Sequence, residues 1–180
     1  MTFIDLAKAR RSVRAYDKRS IKREDLELCV DAARHSPSAC HSQPWKFIVI
    51  DDPAKREVIA KTIFSDHYDM NAFARDAAAF IAIVSENVKL PVWLGGRLRQ
   101  TDFRRIDVGI ACSHIVLQAQ ELGIGTCILG WFDEKKLKRV LSVPFYKKVE
   151  LLIALGYPLQ DDLPEKQLKS RDHTVSFNIY

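Results

Sequence analysis

No stretch of this chain is apolar for long enough to cross a bilayer, which excludes an integral membrane helix from the sequence reading. The opening "MTFIDLAKARRS" turns polar within a few residues, so no secretory leader is expected. Cysteine is sparse: Cys29, Cys40, Cys112 and Cys127 are scattered, and none forms a C-x-x-C pair. A disulfide framework and a zinc site are therefore not expected, no metal is assigned, and a reducing, cytoplasmic location fits the pattern. There is no G-x-G-x-x-G phosphate fingerprint, so no dinucleotide-binding domain of that type is expected. Aromatic residues are not interleaved with the basic clusters as they are in a single-strand-binding groove. Neither nucleic acid nor a membrane is an expected partner.

What is present is the balance of an ordinary globular domain. The chain has 180 residues, 47% of them hydrophobic and 28% charged, enough for one domain with a real core and no second domain or repeat. The net charge of +5 is divided among "KARRSVRAYDKRS", "GGRLRQTDFRR", "DEKKLKR" and "PEKQLKSR". Most of these runs read as solvated helix faces, and a small anion is as reasonable a partner for such a chain as a polyanion.

Local signals order the chain. Thr2 and Asp5 form a T-x-x-D capping box that opens a short helix. Ser20 is the expected cap of a second helix, with Leu26, Cys29, Val30 and Ala33 on its buried face and Pro37 enforcing a stop. "KFIVID" reads as a buried strand, and "DDPAKREVIAKTIF" as a helix capped by Asp51 or Asp52 with Pro53 at its first position. "AAAFIAIVSE" is a second buried strand. "TDFRRIDVGIACSHIVLQAQELG" is the longest helix, with Ile106, Ile110, Ser113 and Leu117 on one side and a stop at Gly123. The strand "TCILGWF", a short helix capped by Asp133 and the strand "VELLIALGYP" follow. Four short, continuously apolar strands spaced by helices point to a central sheet covered on both faces. In the polar tail, Val175, Phe177 and Ile179 alternate like a strand with one face to bury.

Two basic stretches carry candidate chemistry. Arg10, Arg11, Ser12 and Arg14 fall within five positions, and a hydroxyl with guanidinium forks at this spacing can converge on a phosphate. A solvated basic turn is the competing reading. Lys169 and Arg171 in "LKSR" are equally ambiguous alone. Taken together, R-R-S-x-R, P-S-x-x-x-x-Q-P-W, "GIGTCILGWFD" and the C-terminal K-S-R resemble, in order and interval, the nitroreductase family of flavin enzymes in its short form.

The resemblance implies an α+β fold: a central mixed, mainly antiparallel sheet flanked by helices, with the C-terminal tail exchanged in a homodimer. It also implies one FMN per subunit at the dimer interface. Arg10, Arg11, Ser12 and Arg14, with Lys169 and Arg171, would take the phosphate end. Pro37, Ser38 and Ala39 would come from the partner subunit and line the isoalloxazine ring. The turn at Leu129 and Gly130 would place a backbone N–H near flavin N5, and Asp107 would face the pyrimidine side. His41 stands where the family usually has asparagine; it can donate to a flavin carbonyl but also titrates near neutrality.

The adjacent Cys40 and His41 look like a catalytic pair. Neighbours in an extended loop point apart, no third residue orients the imidazole, and a filler beside the flavin loop is the reading adopted for Cys40. Gln43, Pro44 and Trp45 are expected to fix the loop's entry into the strand, with Trp45 in the core. His114 is read as a satisfied core or interface histidine and Trp131 as a packing residue. No side chain is assigned a catalytic role, because the flavin carries the chemistry. The implied activity is ping-pong transfer from NADH or NADPH to a nitroaromatic, quinone or related small-molecule acceptor. A non-catalytic flavin carrier or sensor is the alternative, and a basic nucleic-acid-binding module a distant third.

Overall fold

The computed structural model describes residues 2–63, 71–160 and 165–180. Phe64, expected to close the third helix, and residues 161–164 of the tail lie outside the described residues. The elements run α1 (Phe3–Ala9), α2 (Arg23–Arg34), β1 (Trp45–Ile50), α3 (Pro53–Ile63), β2 (Ala79–Ser85), α4 (Leu90–Arg99), α5 (Phe103–Glu121), β3 (Gly125–Leu129), α6 (Glu134–Val140) and β4 (Lys148–Gly156). Short 3-10 turns cover Ala39–His41, Ala72–Asp76 and Arg171–His173.

The four strands form one sheet in the order β1-β2-β4-β3, with every pair antiparallel. Among the described residues the parallel component is one bridge, Ser12 to Thr126, that lays the N-terminal segment along β3. This is the α+β, mainly antiparallel architecture expected from the sequence. Strand β2 is buried along its whole length, which explains its unbroken apolar sequence. Its alternate residues feed two cores: Ile81 and Ile83 face α2 and α5, whereas Phe80, Ala82 and Val84 face α3 and α6. Strand β4 divides in the same way, with Ile153 and Leu155 on one face and Leu152 and Ala154 on the other.

Several caps follow the sequence. Thr2 and Asp5 form the reciprocal box, Asp52 accepts the Lys55 N–H at 2.8 Å, and Asp133 accepts the Lys136 N–H at 3.0 Å. Gly123, at φ +72°, follows α5 in the left-handed conformation that a helix stop favours. Ser20 does not cap α2. That helix starts at Arg23 behind Lys22, with no side-chain cap, and its acidic first turn, Glu24 and Asp25, offers the charge complement instead.

The face of α5 is also corrected. The buried stripe is Asp107, Val108, Ala111, Cys112, Ile115, Val116 and Ala119, while Ile106 is 50% exposed and Ser113 is exposed. Because α5 is apolar on two sides, periodicity alone does not choose between them. The tail is not a strand in the single chain. Val175, Phe177 and Ile179 are exposed, and Ser170 and Thr174 close a local turn around Arg171–His173. An isolated strand has nothing to pair with, so its ladder cannot form. Among the described residues no helix is long and apolar enough to cross a membrane.

Candidate functional site

The N-terminal segment reaches its position by lying in extended form beside β3. Val13 donates its N–H to the Thr126 carbonyl at 2.9 Å, and Asp17 donates to Tyr157 at 2.8 Å. Extended backbone alternates its side chains, so Arg10 and Ser12 share one face and Arg11 and Val13 the other. Arg10 and Ser12 open onto a cavity of about 530 Å³ with Phe3 and Ala7 of α1, Gly109 and Ser113 of α5, and Ile128 of β3. Arg11 and Val13 instead border a separate cavity near Tyr157 and Pro158. Within the cluster, then, Arg10 and Ser12 converge and Arg11 turns away.

The electrostatics locate a further cation that the sequence reading missed. Lys166 donates to the Ala7 carbonyl at the end of α1. Desolvation first, then the charges of Arg10 and Arg11, holds its ammonium below the ordinary lysine value. Only the charge run "PEKQLKSR" hinted at Lys166, and such runs are normally solvated. On the sheet side, burial pushes the Cys127 thiol up while Arg14 and Arg10 draw it back, which puts both guanidinium groups within electrostatic reach of β3. Lys169 and Arg171 are exposed in the tail.

The loop after α2 is built tightly. Cys40, His41 and Gln43 all have positive φ, at 48°, 53° and 48°, which is uncommon for residues with a side chain. Side-chain contacts help to hold it. Ser38 Oγ accepts the Gln43 N–H at 2.9 Å, Lys89 Nζ donates to the Cys40 carbonyl at 3.1 Å, and Ser42 Oγ accepts the Lys89 N–H at 3.2 Å. From below, the carboxylate of Asp107 accepts the Ala39 N–H, with both oxygens at 3.2 Å.

Asp107 is only 3% exposed, and burial raises its pKa against the opposing pull of that N–H. It therefore sits under the Pro37–Ala39 loop, tying α5 to it. Pro37 is exposed on the loop's outer side, and Ser38 is half-buried.

The premise of an extended Cys40–His41 pair is corrected, since the segment is a turn with left-handed residues. Cys40 is exposed, and His41 Nε2 lies 2.8 Å from the Gln43 side-chain amide rather than facing a thiol. Trp45 is buried, and the Pro44 carbonyl accepts the Glu86 N–H, so the entry into β1 is fixed as expected. His114 Nδ1 meets the Ile110 carbonyl at 2.9 Å, a satisfied helix histidine. Leu129 is buried at the end of β3 and Gly130 is exposed just beyond it. Trp131, expected to pack, is 63% exposed, while Asn71 Nδ2 donates to its carbonyl at 2.9 Å. Among the described residues no His, Cys, Asp and Glu cluster has the makings of a metal site.

Comparison with known proteins identifies the family and the fold. The profile of the Nitroreductase family matches residues 7–157. A protein of Archaeoglobus fulgidus with a provisional NADH dehydrogenase/NAD(P)H nitroreductase name is 35% identical over 83% of this chain and 81% of its own. The mouse iodotyrosine deiodinase 1 is 25% identical over 96% of this chain and 68% of its own. A crystal structure of a nitroreductase family protein from Clostridium difficile 630 superposes with a TM-score of 0.83 at 26% identity, covering 100% of both chains. An FMN-dependent nitroreductase from Clostridium difficile R20291 superposes with a TM-score of 0.74 at 28% identity, over 99% of this chain and 100% of that one. With a matched profile across both cores and the loop between them, this chain belongs to the nitroreductase family and is an oxidoreductase.

Proposed function

We propose that the protein is a homodimeric, FMN-dependent oxidoreductase that uses NADH or NADPH to reduce a nitroaromatic, quinone or related small-molecule acceptor. The observation that carries this reading is the convergence of Arg10 and Ser12 on one cavity with Lys166 beside them. Desolvation and the charges of Arg10 and Arg11 lower the affinity of Lys166 for its proton, and such a concentration of positive charge favours an anion. A phosphate monoester supplies such an anion, and the apolar wall of Phe3, Val116, Leu117 and Ile128 suits the remainder of a flavin nucleotide. The residues present therefore fit FMN.

Bound there, FMN would supply the hydride and electron transfer between a nicotinamide and the acceptor. The chain's own residues bind and orient. Arg10, Ser12 and Arg14, joined by Lys166, hold the phosphate end, and Lys169 and Arg171 approach it from the tail. Arg11 faces away and contributes through the general field rather than by direct contact. Leu129 and Gly130 present backbone at the end of β3. Asp107 holds the Pro37–Ala39 loop, with His41 at its tip, in the shape offered to the partner subunit's site. The exposed Val175, Phe177 and Ile179 are the arm that docks on the partner.

Arg10→Ala tests the assignment. Loss of a hydrogen bond to a charged group weakens FMN binding by about 1.5–3 kcal/mol, or about tenfold to 150-fold in Kd. Riboflavin lacks the phosphate, so its weaker binding should be the same in the variant and the natural protein. Equal losses for FMN and riboflavin would remove Arg10 from the phosphate site.

A further inference from the structure

The charge run "GGRLRQTDFRR" has no part in the cofactor site, yet it encloses a cavity of its own. Helix α4 and the start of α5 bound a space of about 340 Å³, within the range of small-molecule pockets. Val88, Val92, Trp93 and Phe103 give it an apolar and aromatic wall, and Arg97 and Arg104 give it cations. The two arginines differ in their engagement. Arg104 is already neutralised: its Nε and Nη2 meet the two oxygens of Asp102 at 2.9 and 3.0 Å. Arg97 has no carboxylate partner among the described residues, and its guanidinium lies over the Trp93 ring, 5.1 Å from the centroid. With its carbon over the ring, the guanidinium keeps N–H donors to offer in a planar fork, which matches a carboxylate.

The cavity is also tied to the candidate active site. Lys89, the residue just before α4, donates to the Cys40 carbonyl through its ammonium and to Ser42 Oγ through its backbone N–H. Thus the helix that carries Trp93 and Arg97 is fastened to the loop assigned to the partner's flavin ring. We infer that this cavity is a specificity site for the electron acceptor, that it takes an aromatic acceptor bearing a carboxylate, and that Arg97 binds the carboxylate while Trp93 and Phe103 hold the ring. The inference rests on the proposed function for its placement beside the flavin, but the binding of the anion does not depend on turnover.

The test compares 4-nitrobenzoate with nitrobenzene, which differ only by the carboxylate. Titration calorimetry on the FMN-loaded dimer, or on the purified protein if it holds no flavin, should show at least about a tenfold loss of 4-nitrobenzoate affinity in Arg97→Gln. Nitrobenzene affinity should change by less than about twofold, since it makes no charged contact. In turnover, KM for 4-nitrobenzoate should rise in step while kcat and the KM for NADH or NADPH stay put. Unchanged 4-nitrobenzoate binding in Arg97→Gln, or an equal loss for both compounds, overturns the inference. A rise in the dinucleotide KM with no change for 4-nitrobenzoate also overturns it, by assigning Arg97 to the donor's phosphates. Absence of flavin defeats the proposed function and leaves the calorimetric result to decide this one.

Discussion

Two inactive, colourless variants should regain flavin and activity when they are unfolded together and refolded. One is Arg10→Ala/Arg14→Ala, which removes the phosphate end of the proposed site. The other is Ser38→Trp, which places a bulky ring in the loop assigned to the neighbouring subunit. If each cavity takes its clamp from one chain and its loop from the other, each homodimer has two damaged cavities. In the mixed dimer one cavity inherits both defects and the other inherits neither. Random reassembly makes half of the dimers mixed, each with one intact cavity, so about a quarter of the natural protein's flavin should return. The substituted positions leave the two cores untouched: Arg14 and Arg10 lie on the segment outside the sheet, and Ser38 lies in a surface loop. Mixed dimers confirmed by mass that remain colourless would contradict the shared site.

Gly125→Ala should cost both stability and flavin although it touches neither a clamp residue nor the loop. Gly125 and Gly156 face each other across β3 and β4, and the N-terminal segment packs over this bare patch of sheet. A Cβ on Gly125 would stand 2.6 Å from Val13 Cγ2 and 2.9 Å from its Cβ. On Gly156 it would stand 2.7 Å from the Tyr16 ring, which is itself held by its hydroxyl donating to the Val13 carbonyl at 2.9 Å. Val13 and Tyr16 are both buried and have no free volume to retreat into.

The segment must therefore lift. Overpacking of this kind costs about 1–3 kcal/mol, a fall of about 2–4 °C in Tm per kcal/mol for a chain of this size. Because Arg10, Ser12 and Arg14 ride on the same segment, FMN affinity of the folded protein should fall at least about tenfold as well. Gly95→Ala is the control, since a Cβ there meets nothing within 4 Å. Normal FMN affinity in folded Gly125→Ala would mean that the seat of this segment does not set the clamp.

These cases show what the sequence made legible. The caps at Thr2, Asp52 and Asp133 are local devices, decided by residues three positions apart, and they appear where the side chains predict them. The strands were legible because a sheet buried on both faces needs unbroken apolar runs. The working face of α5 was not, because Ile106, Ile110 and Leu117 are as apolar as the stripe that is actually buried. The packing of α2 and of the sheet on α5 decides between them. The tail reads as a strand but forms none in one chain, since alternation marks which face could be buried and not which edge would pair with it.

At the site, the motif spacing marked Arg10, Arg11, Ser12 and Arg14 as one cluster, but it could not separate Arg10 and Ser12 from Arg11. That required the extended conformation imposed by Thr126. Lys166 was hidden because its role depends on the end of α1 arriving beside it. Asp107 was singled out by family position, yet its contact with the Ala39 N–H is a tertiary fact that spacing does not encode. The left-handed turn at Cys40 and His41 was equally hidden, because neither residue is a glycine.

The most direct measurement is the flavin content of the protein itself. Purified protein is incubated with excess FMN, freed of unbound cofactor by gel filtration, and read by absorbance and light scattering in the same peak. One FMN per chain, eluting with a species of twice the chain mass, is the predicted result. A colourless peak, or flavin that elutes with a single chain, would contradict the account.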